Sequence, residues 1–160
     1  KACSVQTCVW FLPPTCCSRL HSRAMEDGER RASCLKEQGN AAVKERDYRQ
    51  AIELYGQAIE LLGDSSASPS VFALYGNRCL CHMKLSRYEE ARSDAQQAVQ
   101  RNTRYAKGFY RLALCQRQLG DLAGAWESIT RAVGLEPEDA EICALEREIC
   151  AQERGEGGIG

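Results

Sequence analysis

The sequence predicts an all-α protein built from stacked helical hairpins. Only four prolines occur in the 160 residues, two of them adjacent at Pro13 and Pro14, so almost everything after residue 30 is free to be helical. The alternating pattern of β-strands is absent from that part of the chain. Small residues recur there at fixed positions in three successive segments, as in a repeated supersecondary unit. Together these observations favour a row of similar hairpins.

The repeat is visible when the segments that start at Ala32, Phe72 and Ala106 are aligned, each start being repeat position one. The second and third starts are 34 residues apart, and the first and second are 40 apart, with the excess in the stretch 63–70. Positions eight, twenty and twenty-seven hold only small residues: Gly39, Cys79, Ala113, Ala51, Ala91, Ala125, Ala58, Ala98 and Ala132. Small side chains let helices cross closely, so a helix-turn-helix unit of 34 residues is predicted.

Seven helices are predicted. Their ranges are about 33–46, 48–62, 70–85, 88–101, 104–119, 122–134 and 138–152. Within the first three pairs, the turns fall at 46–48, 86–88 and 120–122. The last helix follows Pro137 and places Ile142, Leu145 and Ile149 on one face. We expect it to cap the stack, because a terminal repeat otherwise exposes an apolar face to water.

The two ends of the chain are expected to lie outside the folded domain. Residues 1–30 cluster Cys, Ser, Pro and Arg without a sustained period, and their apolar run 9–12 is too short for a signal peptide. We predict a disordered leader, with a palmitoylated Cys16 and Cys17 pair as the alternative. The domain is then expected at 31–153, with repeats at about 32–65, 72–105 and 106–139, and a disordered glycine-rich tail at 154–160.

Composition excludes several classes of protein. A net charge of −1 and a pI near 6.2 argue against nucleic-acid binding, which needs a basic surface. No stretch approaches the roughly 20 apolar residues of a membrane span, so a soluble cytoplasmic protein without a membrane partner is expected. The ten cysteines include no CxxC pair, and the histidines are His21 and His82, which gives a zinc site little support. Cysteines in the helical part are expected to be reduced and to pack as small apolar residues.

Catalysis finds no support in the sequence. His82 has no nucleophile or carboxylate at a recognisable spacing, and at repeat position eleven it is expected to pack inside its hairpin. A glycine-rich phosphate loop and a cluster of metal ligands are both missing from the sequence. We therefore expect neither an enzyme nor a cofactor.

Five polar residues occupy positions that stacked hairpins would bring into one groove: Lys36, Asn40, Asn77, Lys107 and Arg111. Lys36 and Asn40 are four residues apart, as are Lys107 and Arg111, so each pair lies on one face of its helix. Any one of these side chains alone is more often plain solvated surface. As a set they predict a site for one small anion.

Residues 32 to about 152 resemble a three-unit tetratricopeptide repeat domain with its capping helix, a right-handed α-solenoid. The five polar residues match the two-carboxylate-clamp pattern of that family: Lys and Asn at positions five and nine of the first unit, Asn at six of the second, and Lys and Arg at two and six of the third. The resemblance implies a monomeric co-chaperone or adaptor that binds the terminal Glu-Glu-Val-Asp of heat-shock protein 70 and/or 90. Lys36, Asn40 and Asn77 would then hold the terminal carboxylate, and Lys107 and Arg111 the carboxylate of the last side chain.

Further groove-facing positions hold Val43, Leu80, Met83, Lys84 and Leu114. Leu80 and Met83 would form an apolar pocket for the valine of the peptide, although ordinary packing between helices accounts for them equally well. Lys84 would attract an acidic residue further upstream in the peptide. The alternative function is a scaffold that binds a different partner through another surface, with the groove unused.

Overall fold

A computed structural model describes residues 14–63 and 71–155, and over these ranges the chain forms seven helices and no strand. The helices are α1 (Pro14–Lys44), α2 (Tyr48–Leu62), α3 (Val71–Lys84), α4 (Tyr88–Arg101), α5 (Ala106–Gln118), α6 (Leu122–Leu135) and α7 (Ala140–Glu153). The all-α prediction is confirmed. From α2 onward, both ends of each helix agree with the prediction to within two residues.

The start of α1 differs from the prediction. The helix begins at Pro14 rather than near residue 33, so it includes residues 14–30 of the segment that we expected to be a disordered leader. Proline is compatible with this place, because the first N–H groups of a helix need no partner within the helix. Gly28 lies beside the carbonyl of Leu61, and Ala32 is buried, so α1 runs along α2 upstream of the predicted start. Residues 1–13, the side chains of Cys16 and Cys17, and the glycine-rich stretch 156–160 lie outside the described residues.

The helices pack in chain order. α1 packs on α2, α3 on α4 and α5 on α6 as hairpins, and α2, α4 and α6 each contact the helix that follows. All nine small residues of the aligned positions are buried. At Gly39 a Cβ atom would lie 2.6 Å from the ring of Tyr55, so glycine lets α2 approach α1 at this crossing. The repeat read from the sequence is therefore the packing repeat of the fold.

The core divides into two clusters. The first joins α1 and α2 and includes Leu74 and Cys81 from α3. The second runs from α3 to α7. Ile142, Leu145 and Ile149 belong to the second cluster and are at most 4% exposed, so α7 covers the last hairpin as predicted.

The three turns within hairpins share one backbone conformation. Arg46, Ser86 and Gly120 have φ angles of 64°, 58° and 81°, in the left-handed region that favours glycine. The next residue caps the second helix of the hairpin. Asp47 and Asp121 accept a backbone hydrogen bond, from the N–H of residue 50 at 3.0 Å and of residue 124 at 2.9 Å, whereas the side chain of Arg87 makes no capping bond.

A charged network joins α3 and α4. Arg78 donates two hydrogen bonds to Asp94, at 2.8 and 2.6 Å, and Asp94 is only 4% exposed. Nε2 of His82 lies 3.7 Å from Asp94, and burial lowers the pKa of His82. His82 is thus a packing residue of the hairpin, as predicted. In the third hairpin the corresponding buried contact is neutral, between the hydroxyl of Ser128 and the side-chain amide of Gln116 at 2.7 Å.

Six cysteines are free thiols: Cys34, Cys79, Cys81, Cys115, Cys143 and Cys150. Cys79, Cys81 and Cys115 are fully buried and act as small apolar residues, as expected, whereas Cys34 is exposed. Over residues 14–63 and 71–155, no group of three or more His, Cys, Asp and Glu side chains is placed to hold a metal ion. None of the helices in these ranges is both long and apolar enough to cross a membrane.

Candidate functional site

Side chains from three helices meet at one end of the predicted groove, which we call the amide end: Asn40 of α1, Tyr55 of α2 and Asn77 of α3. The hydroxyl of Tyr55 donates to Oδ1 of Asn40 at 2.7 Å, and Nδ2 of Asn77 donates to the same oxygen at 3.4 Å. Burial raises the pKa of Tyr55 to about 12, so its hydroxyl stays protonated and remains a donor at neutral pH. These contacts fix the orientation of the Asn40 amide.

The two asparagines of the amide end have N–H donors that their mutual contact does not use. A side-chain amide carries two N–H donors, and Asn77 uses one of them on Asn40. Asn40 engages its oxygen with Tyr55 and Asn77, which leaves its own NH₂ group to donate. Both asparagines are half-buried, so these donors are partly desolvated. The longer spacing between the first two repeats does not separate the two asparagines, which lie 37 residues apart in the chain.

Arg111 of α5 is held in a fixed position against α3. Its guanidinium donates to the carbonyl of Gly76 at 2.5 Å and to the hydroxyl of Tyr105 at 3.3 Å. A Cβ atom at Gly76 would lie 2.7 Å from that hydroxyl and 3.0 Å from Arg111, so the absence of a side chain makes room for both. Gly76 directly precedes Asn77 in α3, so this contact holds the guanidinium near the amide end.

Lys36 and Lys107 provide cations that no carboxylate of the described residues neutralises. Lys36 is half-buried on α1, and Lys107 is exposed on α5. Among the described residues, neither lysine forms an ion pair; those that form involve Arg78, Arg117, Arg131 and His82 on the basic side. An unpaired cation beside spare amide donors favours the binding of an anion.

A cavity, which we call the distal pocket, lies beside Lys107 and Arg111. It has a volume of about 260 Å³ and is lined by residues of α3, α5 and the start of α7. Its lining comprises Leu80, Met83, Lys107, Tyr110, Arg111, Leu114, Asp139, Glu141 and Ile142. The sequence pointed to five of these residues, because they occupy groove-facing repeat positions. It missed Tyr110 and the two acids, since the repeat alone does not locate α7 relative to the groove.

Two further predicted groove residues lie elsewhere. Val43 packs against the first core cluster, and Lys84 is exposed at the end of α3. Neither lines the distal pocket. The structure thus brings Leu80, Met83 and Leu114 together with Lys107 and Arg111, but it does not bring Val43 and Lys84 to the same cavity.

Known proteins resemble this chain in sequence and in structure. A family model described as tetratricopeptide repeat matches residues 36–106 and 80–140. DnaJ homolog subfamily C member 7 of Mus musculus is 36% identical over 116 residues, which cover 72% of this chain and 22% of the relative. The chain therefore corresponds to about a fifth of the length of that protein.

Two solved structures share the fold and contain a peptide. The first TPR of Spaghetti (RPAP3), bound to the HSP90 peptide SRMEEVD, superposes with a TM-score of 0.72 at 28% identity, over 79% of this chain and 95% of the other. The second TPR domain of human RPAP3, in complex with the HSP70 peptide SGPTIEEVD, gives a TM-score of 0.69 at 29% identity, over 77% and 98%. The repeat, the helical hairpins and these matches agree, and the chain belongs to the tetratricopeptide repeat family.

Proposed function

We propose that this protein is an adaptor that binds the free C-terminus of an acidic peptide ending in Glu-Glu-Val-Asp, the tail of the HSP90 and HSP70 peptides held by its structural relatives. The observation that carries the proposal is the contact between Asn40 and Asn77, which joins amides of two hairpins at the floor of a groove. Three cations support the proposal: Lys36 lies one helical turn before Asn40 on α1, Arg111 contacts the carbonyl of Gly76 beside Asn77, and Lys107 lies one turn before Arg111 on α5.

The chemistry of the peptide end suits this arrangement. A C-terminal aspartate offers two carboxylates, one on the main chain and one on the side chain. Lys36 and the amide end hold the main-chain carboxylate, and Lys107 with Arg111 holds the side-chain carboxylate. A hydrogen bond to a charged group contributes about 1.5 to 3 kcal/mol, and ordering a flexible peptide offsets much of the sum. We expect a dissociation constant on the order of micromolar, as suits a reversible adaptor.

The proposal is for a binding role alone, in a monomer located in the cytoplasm. The six cysteines whose side chains the structure describes are free, which agrees with a reducing compartment. Catalysis and cofactors have no part in it.

The test is a titration of the full chain with the peptide MEEVD and with its C-terminally amidated copy, by calorimetry. Amidation removes one of the two carboxylates, so the acid form should bind at least about tenfold more tightly. Lys107→Ala should weaken binding to a similar extent, because it removes a cation proposed to hold the side-chain carboxylate. Lys107 is exposed, so its loss should leave the fold intact.

The matched control is Arg131→Ala. Arg131 is an exposed cation on α6, paired with Glu127 at 3.5 Å and outside the groove residues. Its loss changes the net charge by the same amount and should leave binding unchanged. Equal binding of the acid and amide forms, or equal effects of the two variants, would overturn the proposal.

A further inference from the structure

We propose that Ser33 of α1 is a phosphorylation site and that a phosphate on it weakens the clamp. The modifying partner is an arginine-directed serine kinase, which takes the phosphoryl group from ATP. The effect of the phosphate on binding rests on the proposed function, because it acts through Lys36.

The residues before Ser33 form a recognition signal for such a kinase. The chain reads Arg-Arg-Ala-Ser from residue 30 to residue 33. Arginines three and two residues before a serine offer two guanidinium groups that acidic residues of a kinase can bind. Arg30, Arg31 and Ser33 are all exposed. Neither arginine has an ion-pair partner among the described side chains, so both are available to a kinase.

The segment lies where α1 can unwind with little loss of packing. Of the side chains described upstream of residue 33, only that of Ala32 is buried. A kinase binds its substrate as an extended chain, so α1 must open as far as Ser33. Gly28 favours this opening, because glycine in a helix is less stable than other residues except proline. Local opening of a weakly packed segment requires much less free energy than unfolding of the whole domain.

The reaction replaces a neutral hydroxyl by a strongly charged group. The hydroxyl oxygen of Ser33 forms a bond to the γ-phosphorus of ATP, and the bond from this phosphorus to the bridging oxygen breaks, with its electron pair leaving on ADP. The hydroxyl proton passes to a base of the kinase. The phosphoserine carries a charge of about −1.5 to −2 at pH 7.

The new charge lies on the groove face of α1. Ser33 occupies repeat position two, which in the third hairpin holds Lys107, a residue that lines the distal pocket. It also lies three residues before Lys36, which lies four before Asn40. Side chains three or four residues apart on a helix are neighbours, with Cβ atoms about 5 to 6 Å apart. The phosphate and the ammonium group of Lys36 are therefore within reach of each other.

The phosphate acts on the clamp in two ways. It draws the ammonium group of Lys36 into an ion pair within α1, and its charge repels the terminal carboxylate of the peptide. Lys36 is half-buried, so salt and water screen these interactions less than at a fully exposed site. Both effects weaken binding of the peptide.

The test treats the full chain with ATP and the catalytic subunit of cyclic-AMP-dependent protein kinase, and locates the phosphate by mass spectrometry of peptide fragments. Phosphate should appear on Ser33. Replacing Arg30 and Arg31 together by alanine should slow that reaction at least about tenfold, because two ion pairs with the kinase are lost. Calorimetry with MEEVD should then show at least about tenfold weaker binding to the phosphorylated protein than to the unmodified one.

Lys36→Ala tests the route by which the phosphate acts. This variant should bind MEEVD about tenfold more weakly than the natural protein, and phosphorylation of Ser33 should weaken it less than about twofold further, because the cation that the phosphate engages is gone. Equal fold losses on phosphorylation in the two proteins would overturn the inference. So would a lack of phosphate on Ser33, or unchanged binding after its phosphorylation.

Ser33→Glu and Ser93→Glu form a matched pair of variants. Both serines are exposed on helices, but Ser93 lies on α4 and outside the groove residues, so the two changes add the same charge at different places. Ser33→Glu should weaken binding about two- to fivefold, the range of an exposed ion pair, and Ser93→Glu should leave it unchanged. Equal effects of the two would count against the site. Failure of the proposed function gives a different result, namely that the acid and amide forms of MEEVD bind the unmodified protein alike.

Discussion

The second hairpin (α3–α4) and the third hairpin (α5–α6) have the same backbone plan and stabilise it by different chemistry. At repeat positions eleven and twenty-three the second hairpin has His82 and Asp94, and the third has Gln116 and Ser128. Both pairs are buried between the two helices, but the first is tied to the guanidinium of Arg78 and the second is neutral. The crossing accepts a charged or a neutral polar contact, and in the first hairpin the same two positions hold the apolar residues Ala42 and Leu54.

The turns of the two hairpins differ in the same way. The left-handed residue is Ser86 in the second hairpin and Gly120 in the third, and the next residue is Arg87 or Asp121. The third hairpin has the residue types that this turn favours, whereas the second tolerates a strained serine and an uncapped helix. The second hairpin thus depends more on its ion pair, because its turn contributes less.

The residues that face the groove also differ between the two hairpins. Repeat position six holds Asn77 in the second hairpin and Arg111 in the third. One backbone site therefore holds an amide in the second hairpin and a cation in the third. Repetition fixes where the side chains stand, and substitution at those places determines what the groove binds.

The largest effect on stability is expected when Asp94, the buried acid of the second hairpin, is replaced. Asp94→Asn removes the partner of a partly buried guanidinium and should lower the free energy of unfolding by about 2 to 4 kcal/mol. Ser128→Ala, the corresponding change in the third hairpin, removes a neutral hydrogen bond and should cost only about 1 kcal/mol. Urea denaturation of both variants measures the difference. Equal losses would show that charge does not distinguish the two hairpins.

Binding of the peptide should weaken when the residue at position six of the third hairpin is replaced. Arg111→Asn copies the residue that the second hairpin has at position six and removes the clamp cation. We expect affinity for MEEVD to fall about 10- to 100-fold, as the loss of a charge-assisted hydrogen bond implies. Arg104→Asn, an exposed change just before α5, is the control and should leave the dissociation constant unaltered.

Exchanging the turns tests whether the difference between them is energetic. Ser86→Gly with Arg87→Asp installs the turn of the third hairpin in the second. Relief of the left-handed serine and a new cap should together stabilise the protein by about 1 to 2 kcal/mol. The reverse exchange, Gly120→Ser with Asp121→Arg, should destabilise it by a similar amount. Thermal unfolding of both variants measures these changes. The two exchanges should shift the melting temperature in opposite directions, and shifts of the same sign would contradict the prediction.

The smallest effect is a dependence on pH that belongs to the second hairpin. Burial lowers the pKa of His82 below its ordinary value of 6.5, so the unfolded chain takes up a proton more readily than the folded one. The stability contributed by neutral His82 is complete above that value and declines as the pH falls below it toward the folded-state pKa. His82→Gln, which copies Gln116, should reduce the loss of stability between pH 7 and pH 5. Urea midpoints at both pH values measure the change, and the same loss in both proteins would contradict it.

The sequence predicted most of the fold because packing repeats in it. The small residues at positions eight, twenty and twenty-seven identify the helix crossings, so the helices from α2 onward could be placed closely. Asn40 and Asn77 meet for the same reason. The N-terminal extension of α1 escaped prediction, since residues 14–30 have no apolar period by which a helix could be recognised. The family was predicted from the 34-residue repeat, and the role of the groove residues in binding stays a prediction.

The rest of the candidate site depends on how the hairpins stack, which no local pattern specifies. Tyr110 and Glu141 lie 31 residues apart and belong to different helices, yet they line one pocket. The pairing of Arg78 with Asp94 was also missed, because no sequence pattern identifies two residues 16 apart on different helices as partners. Such contacts follow from the angle between helices, and a linear repeat does not encode that angle explicitly.

The division of the core into two clusters has a consequence for the mechanics of the protein. Asn40 belongs to the first hairpin, and Lys107 and Arg111 to the third, so a ligand held by all of them bridges the boundary between the clusters. Ligand that binds only the joined form suppresses separation of the two halves. The amide hydrogens of the first hairpin, at the end of the stack, are then expected to exchange more slowly when the peptide is bound. A bound peptide tail would thus add a second connection between core clusters that are otherwise joined through α3.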